Sequence, residues 1–181
     1  HYTLGAAKRE LKTFACMCTD TQISYENGKK KAVGEPTEVA LVEDALKDNI
    51  DKFEMYKMNK RVADIPFESS RKMMSTIHKN NNSYMVITKG APDIILGKCL
   101  YYKKENTIVP MDNSVRRNIE EANNKMAEKA LRVIAICYKE IERVPTNIES
   151  KEIENNLIFV GLIGMIDPPR EGVKEAVSTC R

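Results

Sequence analysis

Two neighbouring β-type runs joined by three asparagines constrain the fold of this chain most. Residues 72–79 and 83–89 carry β-branched and other apolar side chains, and the loop Asn80-Asn81-Asn82 between them is typical of a hairpin. A hairpin joins antiparallel neighbours, and the predicted elements do not alternate strand and helix as βαβ units do. We therefore expect an α+β fold, with helices packed on a twisted, mostly antiparallel sheet.

The remaining apolar periodicities predict the other elements. Residues 132–138 are largely apolar on both faces, which indicates a central strand, and residues 157–165 form the last strand. Thr37 is predicted to cap a helix that runs to about residue 50. The other predictions are helices over 8–17, 93–99 and 115–130, a short strand over 62–67, loops over 20–33 and 140–156, and a loop or edge hairpin over 101–112.

The composition indicates one domain with one core and restricts the classes of partner. The chain has 181 residues, of which 42% are hydrophobic, which is enough for a sizeable core. Charged residues make up 30%, but the net charge is only +3, which argues against a dedicated nucleic-acid binder. A mild positive excess favours an anionic ligand. No apolar run approaches the roughly 20 residues that a membrane-spanning helix needs.

The five cysteines are scattered and odd in number, which indicates reduced thiols in a cytosolic setting. Cys16 and Cys18 form a C-x-C pair that could suggest zinc. Only two histidines accompany them, so we interpret both cysteines as small buried residues of a helix.

Four short runs carry the functional signal, and they occur in a fixed order. They are GEPTE at residues 34–38, FESSRKMMS at 67–75, KGAP at 89–92 and IDPPR at 166–170. Together they resemble the nucleotide-binding domain of P-type cation-transporting ATPases, nearest the calcium pumps. The family's phosphorylated aspartate lies in the run DKTGT, which this sequence does not contain. The resemblance therefore implies the ATP-holding part of a pump, without the part that is phosphorylated.

The sequence has no conventional phosphate-binding loop. The nearest approach to a Walker A motif runs from Gly90 to Gly97-Lys98-Cys99, and it has the wrong spacing and no hydroxyl for magnesium. No G-x-G-x-x-G run exists either. A nucleotide would therefore be held mainly through its base.

The second run supplies the residues that the resemblance assigns to the base. In the family the phenylalanine at the position of Phe67 stacks on adenine, and Met74 would close the pocket as a soft wall. Arg71 and Lys72 would place two cations beside the ring. From the residues alone, Phe67 is equally compatible with a core position at a strand end, and the two cations with a charged surface.

The remaining site residues come from the other runs and from a later strand. The resemblance places Lys89 and Gly90 deep in the ATP pocket, lets Glu38 reach the adenine amino group, and brings Arg132 to the phosphates. The alternatives are an ordinary strand-to-helix turn for the first two, a carboxylate complementing a helix dipole for Glu38, and a charge at a strand edge for Arg132.

The last run is interpreted as a hinge. By resemblance, Asp167 and Pro168 connect the nucleotide-binding domain, residues 1–167, to the start of a phosphorylation domain, residues 168–181. The resemblance implies the ATP-binding domain of a P-type calcium-transporting ATPase, which we expect to be a monomeric, cytoplasmic part of an integral membrane protein. Its implied partners are ATP or ADP, Mg²⁺ carried by the nucleotide and the missing domain, and the phosphorylation and actuator domains of the same chain.

Three alternatives remain open at this point. The first is a pump domain for another cation, and the second is an interaction module with a degenerate pocket. The third is an independent kinase or hydrolase, against which the sequence offers no Walker loop and no metal-binding carboxylate cluster.

Overall fold

The computed structural model describes residues 1–149 and 153–166, so the predicted hinge residues Asp167 and Pro168 lie outside the described residues. The helices are α1 Lys8–Met17, α2 Pro36–Lys47, α3 Lys52–Met58, α4 Pro92–Leu96 and α5 Asn113–Glu128. The strands are β1 Tyr2–Thr3, β2 Gln22–Glu26, β3 Lys29–Val33, β4 Arg61–Glu68, β5 Met73–Asn80, β6 Ser83–Gly90, β7 Cys99–Lys104, β8 Thr107–Pro110, β9 Leu131–Ile141 and β10 Leu157–Ile166.

An eight-stranded sheet forms the centre of the domain. Seven strands follow the order β4-β5-β6-β9-β10-β7-β8, and β1 pairs with β10. All the ladders of this sheet are antiparallel except that between β10 and β7. The predicted α+β fold with a mostly antiparallel sheet is therefore confirmed, and so is the central position of β9, which lies between β6 and β10.

Helices cover both faces of the sheet. Along β9, Ile136 packs in one core cluster with Leu11 of α1 and Leu41 of α2. Its neighbour Cys137 belongs to a second cluster that includes residues of α4 and α5. Because successive side chains of a strand point to opposite faces, α1 and α2 cover one face and α4 and α5 cover the other.

Several local predictions were wrong. Residues 20–33 contain the hairpin β2–β3, whose Asn27-Gly28 turn has positive φ at both positions, 54° and 78°. Helix α3 was missed, because its seven residues are too few to show a clear helical period. The cap of α2 is Glu35 rather than Thr37, and the carboxylate of Glu35 accepts the backbone N–H of Glu38 at 3.1 Å.

Candidate functional site

Two adjoining concavities lie where α2, the end of β4 and the strands β5, β6 and β9 meet. Their volumes are about 370 and 230 Å³, which together fall in the range of small-molecule sites. They share the lining residues Phe67, Lys89, Arg132 and Ile134. The larger concavity adds Asp20, Glu35, Thr37, Glu38 and Met74, and the smaller adds Lys72, Gly90, Ala91 and Val133. We call the combined space the cleft.

The structure brings seven of the eight predicted ligand residues to the cleft. These are Glu38, Phe67, Lys72, Met74, Lys89, Gly90 and Arg132. Arg71 is not among the lining residues of either concavity. Residues that are distant in sequence therefore converge, as the resemblance implied, with one exception.

Phe67 reaches the cleft through a β-bulge. In the β4–β5 ladder Ile65 pairs with Ser75 and Glu68 with Met73, so Pro66 and Phe67 together oppose the single residue Met74. Ile65 packs in a cluster with Ile77, on the same face as Ser75. Without the extra residue Phe67 would point to that face as well.

The bulge explains why Phe67 lies beside Met74 instead. Pro66 has no N–H to donate to the ladder, which favours an interruption at this point. Phe67 is 60% exposed, whereas Met74 is 2% exposed. The cleft therefore has an exposed aromatic face next to a buried, polarisable thioether, which suits a flat apolar group.

Glu38 and Lys89 form an ion pair within the cleft. Their Oε2 and Nζ atoms lie 2.5 Å apart, and their side chains are only 14% and 9% exposed. Oε1 of Glu38 accepts the backbone N–H of Asp20 at 3.1 Å. The carboxylate is thus fixed on both oxygens before any ligand is present.

Gly90 allows a turn to pack closely against β6. A Cβ atom at this position would lie 2.5 Å from the carbonyl oxygen of Lys72 and 2.7 Å from Cβ of Met73. The N–H of Ala91 donates to that same carbonyl of Lys72 at 3.1 Å. Lys72 itself has a positive φ of 57° at the end of the turn. Gly90 therefore keeps Lys72 next to the cleft.

Three cations surround the cleft, on three different segments. Lys72 ends the β4–β5 turn, Lys89 is at the end of β6, and the exposed Arg132 is near the start of β9. Only Asp20, Glu35 and Glu38 oppose them among the lining residues. The smaller concavity, which contains all three cations and no lining carboxylate, suits an anionic group.

Arg71 makes a different set of contacts. Its Nε donates to Oε1 of Glu154 at 2.8 Å, and its Nη2 donates to the carbonyl oxygen of Met73, also at 2.8 Å. The side chain of Glu154 is fully buried. The guanidinium of Arg71 therefore pairs with the buried carboxylate of Glu154 and does not line the cleft.

Sequence reasoning missed Asp20, whose position depends on a buried lysine. Nζ of Lys52 donates to the carbonyl oxygens of Thr19 and Thr21 at 2.8 and 2.5 Å, and Arg61 pairs with Asp20 at 2.9 Å. Burial lowers the pKa of Lys52 to about 8. The sequence of the polar segment after α1 does not reveal this position of Asp20, because the residues that hold the segment, Lys52 and Arg61, come from α3 and β4.

Residues 1–149 and 153–166 contain no group of three or more His, Cys, Asp or Glu side chains that could hold a metal ion. Within those same ranges no helix is both long and apolar enough to span a bilayer.

Comparisons with known proteins identify the family that this fold and cleft define. The family model for the P-type ATPase cytoplasmic domain N matches residues 7–172, and the chain belongs to this family. Calcium-transporting ATPase 1 of Bacillus cereus is 38% identical over 165 residues, covering 91% of this chain and 18% of the relative. A calcium-transporting ATPase of Listeria monocytogenes is 36% identical over 170 residues, covering 94% of this chain and 19% of the relative.

A eukaryotic relative extends the same pattern. Calcium-transporting ATPase 1 of Yarrowia lipolytica is 34% identical over 164 residues, covering 89% of this chain and 17% of the relative. The chain thus spans less than a fifth of the length of these curated relatives. The recognition made from the four motifs is confirmed at the level of the family.

Proposed function

We propose that this domain holds the adenine ring of ATP in the cleft and presents the γ-phosphate to an aspartate on a separate phosphorylation domain. The observation that carries the proposal is the bulge at Pro66 and Phe67, which aims an exposed aromatic ring at a cleft bordered by three cations. An exposed ring beside a buried Met74 is a stacking platform, and stacking on a base contributes about 1–3 kcal/mol.

The polar groups of the cleft suit the two ends of a nucleotide. The carboxylate of Glu38 is an acceptor for the exocyclic amine of adenine. Lys72 and Arg132 border the smaller concavity, and there they would attract the phosphates. Lys89 lines both concavities and so lies between base and phosphates. Gly90 contributes indirectly, because its lack of a side chain lets the turn that carries Lys72 lie next to the cleft.

The domain would contribute position, and the phosphorylation domain would contribute the chemistry. ATP carries Mg²⁺, and groups of that second domain would complete the coordination sphere of the ion. Phosphoryl transfer depends mainly on alignment and charge stabilisation, so a domain that fixes the base controls where the γ-phosphate can go. A hinge at Asp167 and Pro168 would let the two domains approach, with an actuator domain acting later in the cycle.

The parent protein, in this proposal, is a calcium-transporting membrane pump of which this domain is a cytoplasmic part. Three relatives of 34–38% identity, from two bacteria and a yeast, are named calcium-transporting ATPases. A relative of Mycoplasma genitalium, 34% identical, is named a probable cation-transporting ATPase, so another cation is the second candidate.

An NMR titration of this chain with ATP, GTP and tripolyphosphate tests the binding proposal. ATP should shift the amides of Glu38, Phe67 and Gly90, and tripolyphosphate should bind more weakly because it has no base to stack. GTP presents a carbonyl where adenine has its amine, so it should bind more weakly than ATP. Equal binding of tripolyphosphate and ATP, or ATP shifts confined to other surfaces, would contradict the proposal.

A further inference from the structure

A buried polar network lies directly behind the cleft. Arg71 donates to Glu154 twice, from Nε to Oε1 at 2.8 Å and from Nη2 to Oε2 at 3.3 Å. Its Nη1 lies 3.4 Å from the carboxylate of Glu68. The hydroxyl of Ser75 donates to the same Oε2 of Glu154, and it lies 2.7 Å from the hydroxyl of Thr88. Arg71, Ser75, Thr88 and Glu154 form what we call the rear network.

The strand register places the rear network one side chain away from the cleft. In the β5–β6 ladder Met74 pairs with Lys89, and the next pair along is Ser75 with Thr88. Successive side chains point to opposite faces, so the first pair faces the cleft and the second pair faces Glu154. A shift of Glu154 therefore acts on the strands that form the wall of the cleft.

Arg71 also holds the turn between β4 and β5. Its Nη2 donates to the carbonyl oxygen of Met73, just after Lys72 with its positive φ of 57°. The turn is closed by the N–H of Lys72, which donates to the carbonyl oxygen of Glu68 at 2.7 Å. This turn follows Phe67 directly and carries Lys72, so its geometry sets where both side chains lie.

We propose that Arg71 and Glu154 are a pair of positioning residues that fix the β4–β5 turn, and with it Phe67 and Lys72, from the face of the sheet opposite the cleft. The inference deepens the proposed function and rests on it. It replaces the prediction that Arg71 touches the nucleotide. A bidentate arginine–carboxylate pair suits this task because its planar fork fixes orientation as well as distance.

Titrations with adenosine and with ATP distinguish positioning from phosphate contact. Glu154→Gln keeps the size of the side chain but removes its charge, and Glu154 lies behind the cleft. We expect Glu154→Gln to lower the affinity for adenosine and for ATP by the same factor, about three- to tenfold. Arg71→Lys should do the same, since lysine cannot reproduce the fork. An unchanged affinity in Glu154→Gln, or a loss in Arg71→Lys for ATP alone, would overturn the inference.

Two further variants guard against a general loss of structure. Lys139→Met removes the bonds from Nζ to the carbonyl and side-chain oxygens of Asn155, at 3.1 and 3.3 Å, while it keeps all four side chains of the rear network. It should leave both affinities unchanged, and a loss equal to that of Glu154→Gln would contradict the inference. The double replacement Arg71→Met/Glu154→Leu exchanges a buried ion pair for apolar groups, so it should keep the domain folded while its affinity for both ligands stays low.

Hydrogen exchange without ligand separates this inference from the proposed function. Glu154→Gln should speed exchange at the amides of Lys72 and Ala91, whose bonds close the turn and join it to β6. If the natural chain bound neither adenosine nor ATP, the proposed function would fail, yet faster exchange would still support positioning of the turn. Unchanged exchange at both amides would overturn it.

Discussion

Nζ of Lys89 lies 2.5 Å from Oε2 of Glu38, so the most buried cation of the cleft is already paired with its most buried carboxylate. A ligand would meet a preformed pair with opposite charges at fixed positions. An acceptor for an amine and a donor for an anion thus stand side by side, and little reorganisation is needed on binding.

The Glu38–Lys89 pair should show strong energetic coupling. Lys89→Met leaves a largely buried carboxylate without its cation, and we expect it to lower the free energy of unfolding by about 1–3 kcal/mol. The double variant Glu38→Gln/Lys89→Met should lose less unfolding free energy than the two single variants together, because it leaves no buried charge without its partner. Urea unfolding of the four proteins in this cycle measures the coupling, and additive losses would show that the pair is not formed.

Phe67→Ala should remove most adenine binding while leaving the fold intact. Phe67 is 60% exposed, so truncation of its side chain should lower the unfolding free energy by less than about 1 kcal/mol. Loss of stacking should weaken binding by about 1–3 kcal/mol.

Phe53 offers a matched control for this variant. It is 59% exposed, on α3, and does not line the cleft. Phe53→Ala should leave ATP binding unchanged. Calorimetric titration with ATP and thermal melts measure binding and stability of both variants. A large loss of stability with retained binding in Phe67→Ala would assign Phe67 to the core.

Gly90→Ala should destabilise the domain, whereas Gly97→Ala should not. The added methyl at Gly90 would lie 2.5 Å from a backbone oxygen, so β5 and β6 must separate, and we expect a loss of about 1–3 kcal/mol. At Gly97, seven residues on, the nearest atom is 3.4 Å away and φ is −67°, which any residue adopts. Equal denaturation midpoints for the two variants would contradict the close approach at Gly90.

His78 should make the domain sensitive to mild acid. Burial lowers the pKa of His78 to about 4, with Arg61 and Lys52 nearby and the Tyr56 ring 5.4 Å away. The unfolded chain takes up the proton first, near pH 6.5, so stability is full above that pH and falls as the pH drops from 6.5 to 4. The loss amounts to about 3 kcal/mol.

The measurement for His78 is a comparison of two unfolding series. Urea unfolding of the natural chain and of His78→Gln between pH 4 and 7 isolates this contribution, because the carboxylates titrate alike in both proteins. The difference between the two unfolding free energies should change steadily across that range. A constant difference would contradict the buried neutral imidazole.

The sequence was sufficient to predict those parts of the fold that depend on local pattern. The β5–β6 hairpin and the central strand β9 follow from runs of apolar residues at strand spacing, and both are confirmed. The β2–β3 hairpin was missed although Asn27-Gly28 is a strong turn signal, because the polar residues around it resemble a loop.

The site could be predicted only where motif and geometry coincide. Phe67 was assigned through the resemblance, but its direction depends on a register shift that only strand pairing reveals, with Pro66 as the one local clue. Arg71 was assigned to the cleft because it belongs, with Phe67 and Lys72, to the run at residues 67–75. Its partner Glu154 is 83 positions away, and a long-range pair of this kind leaves no local pattern.

Calorimetric titration of the natural chain with ATP and with ADP tests the central claim most directly. A cleft that grips the base and only borders the phosphates should bind both nucleotides nearly equally, with Kd on the order of 0.1–1 mM, and should release no phosphate from ATP. Micromolar affinity that depends on the γ-phosphate, turnover of ATP, or the absence of saturable binding would contradict this account.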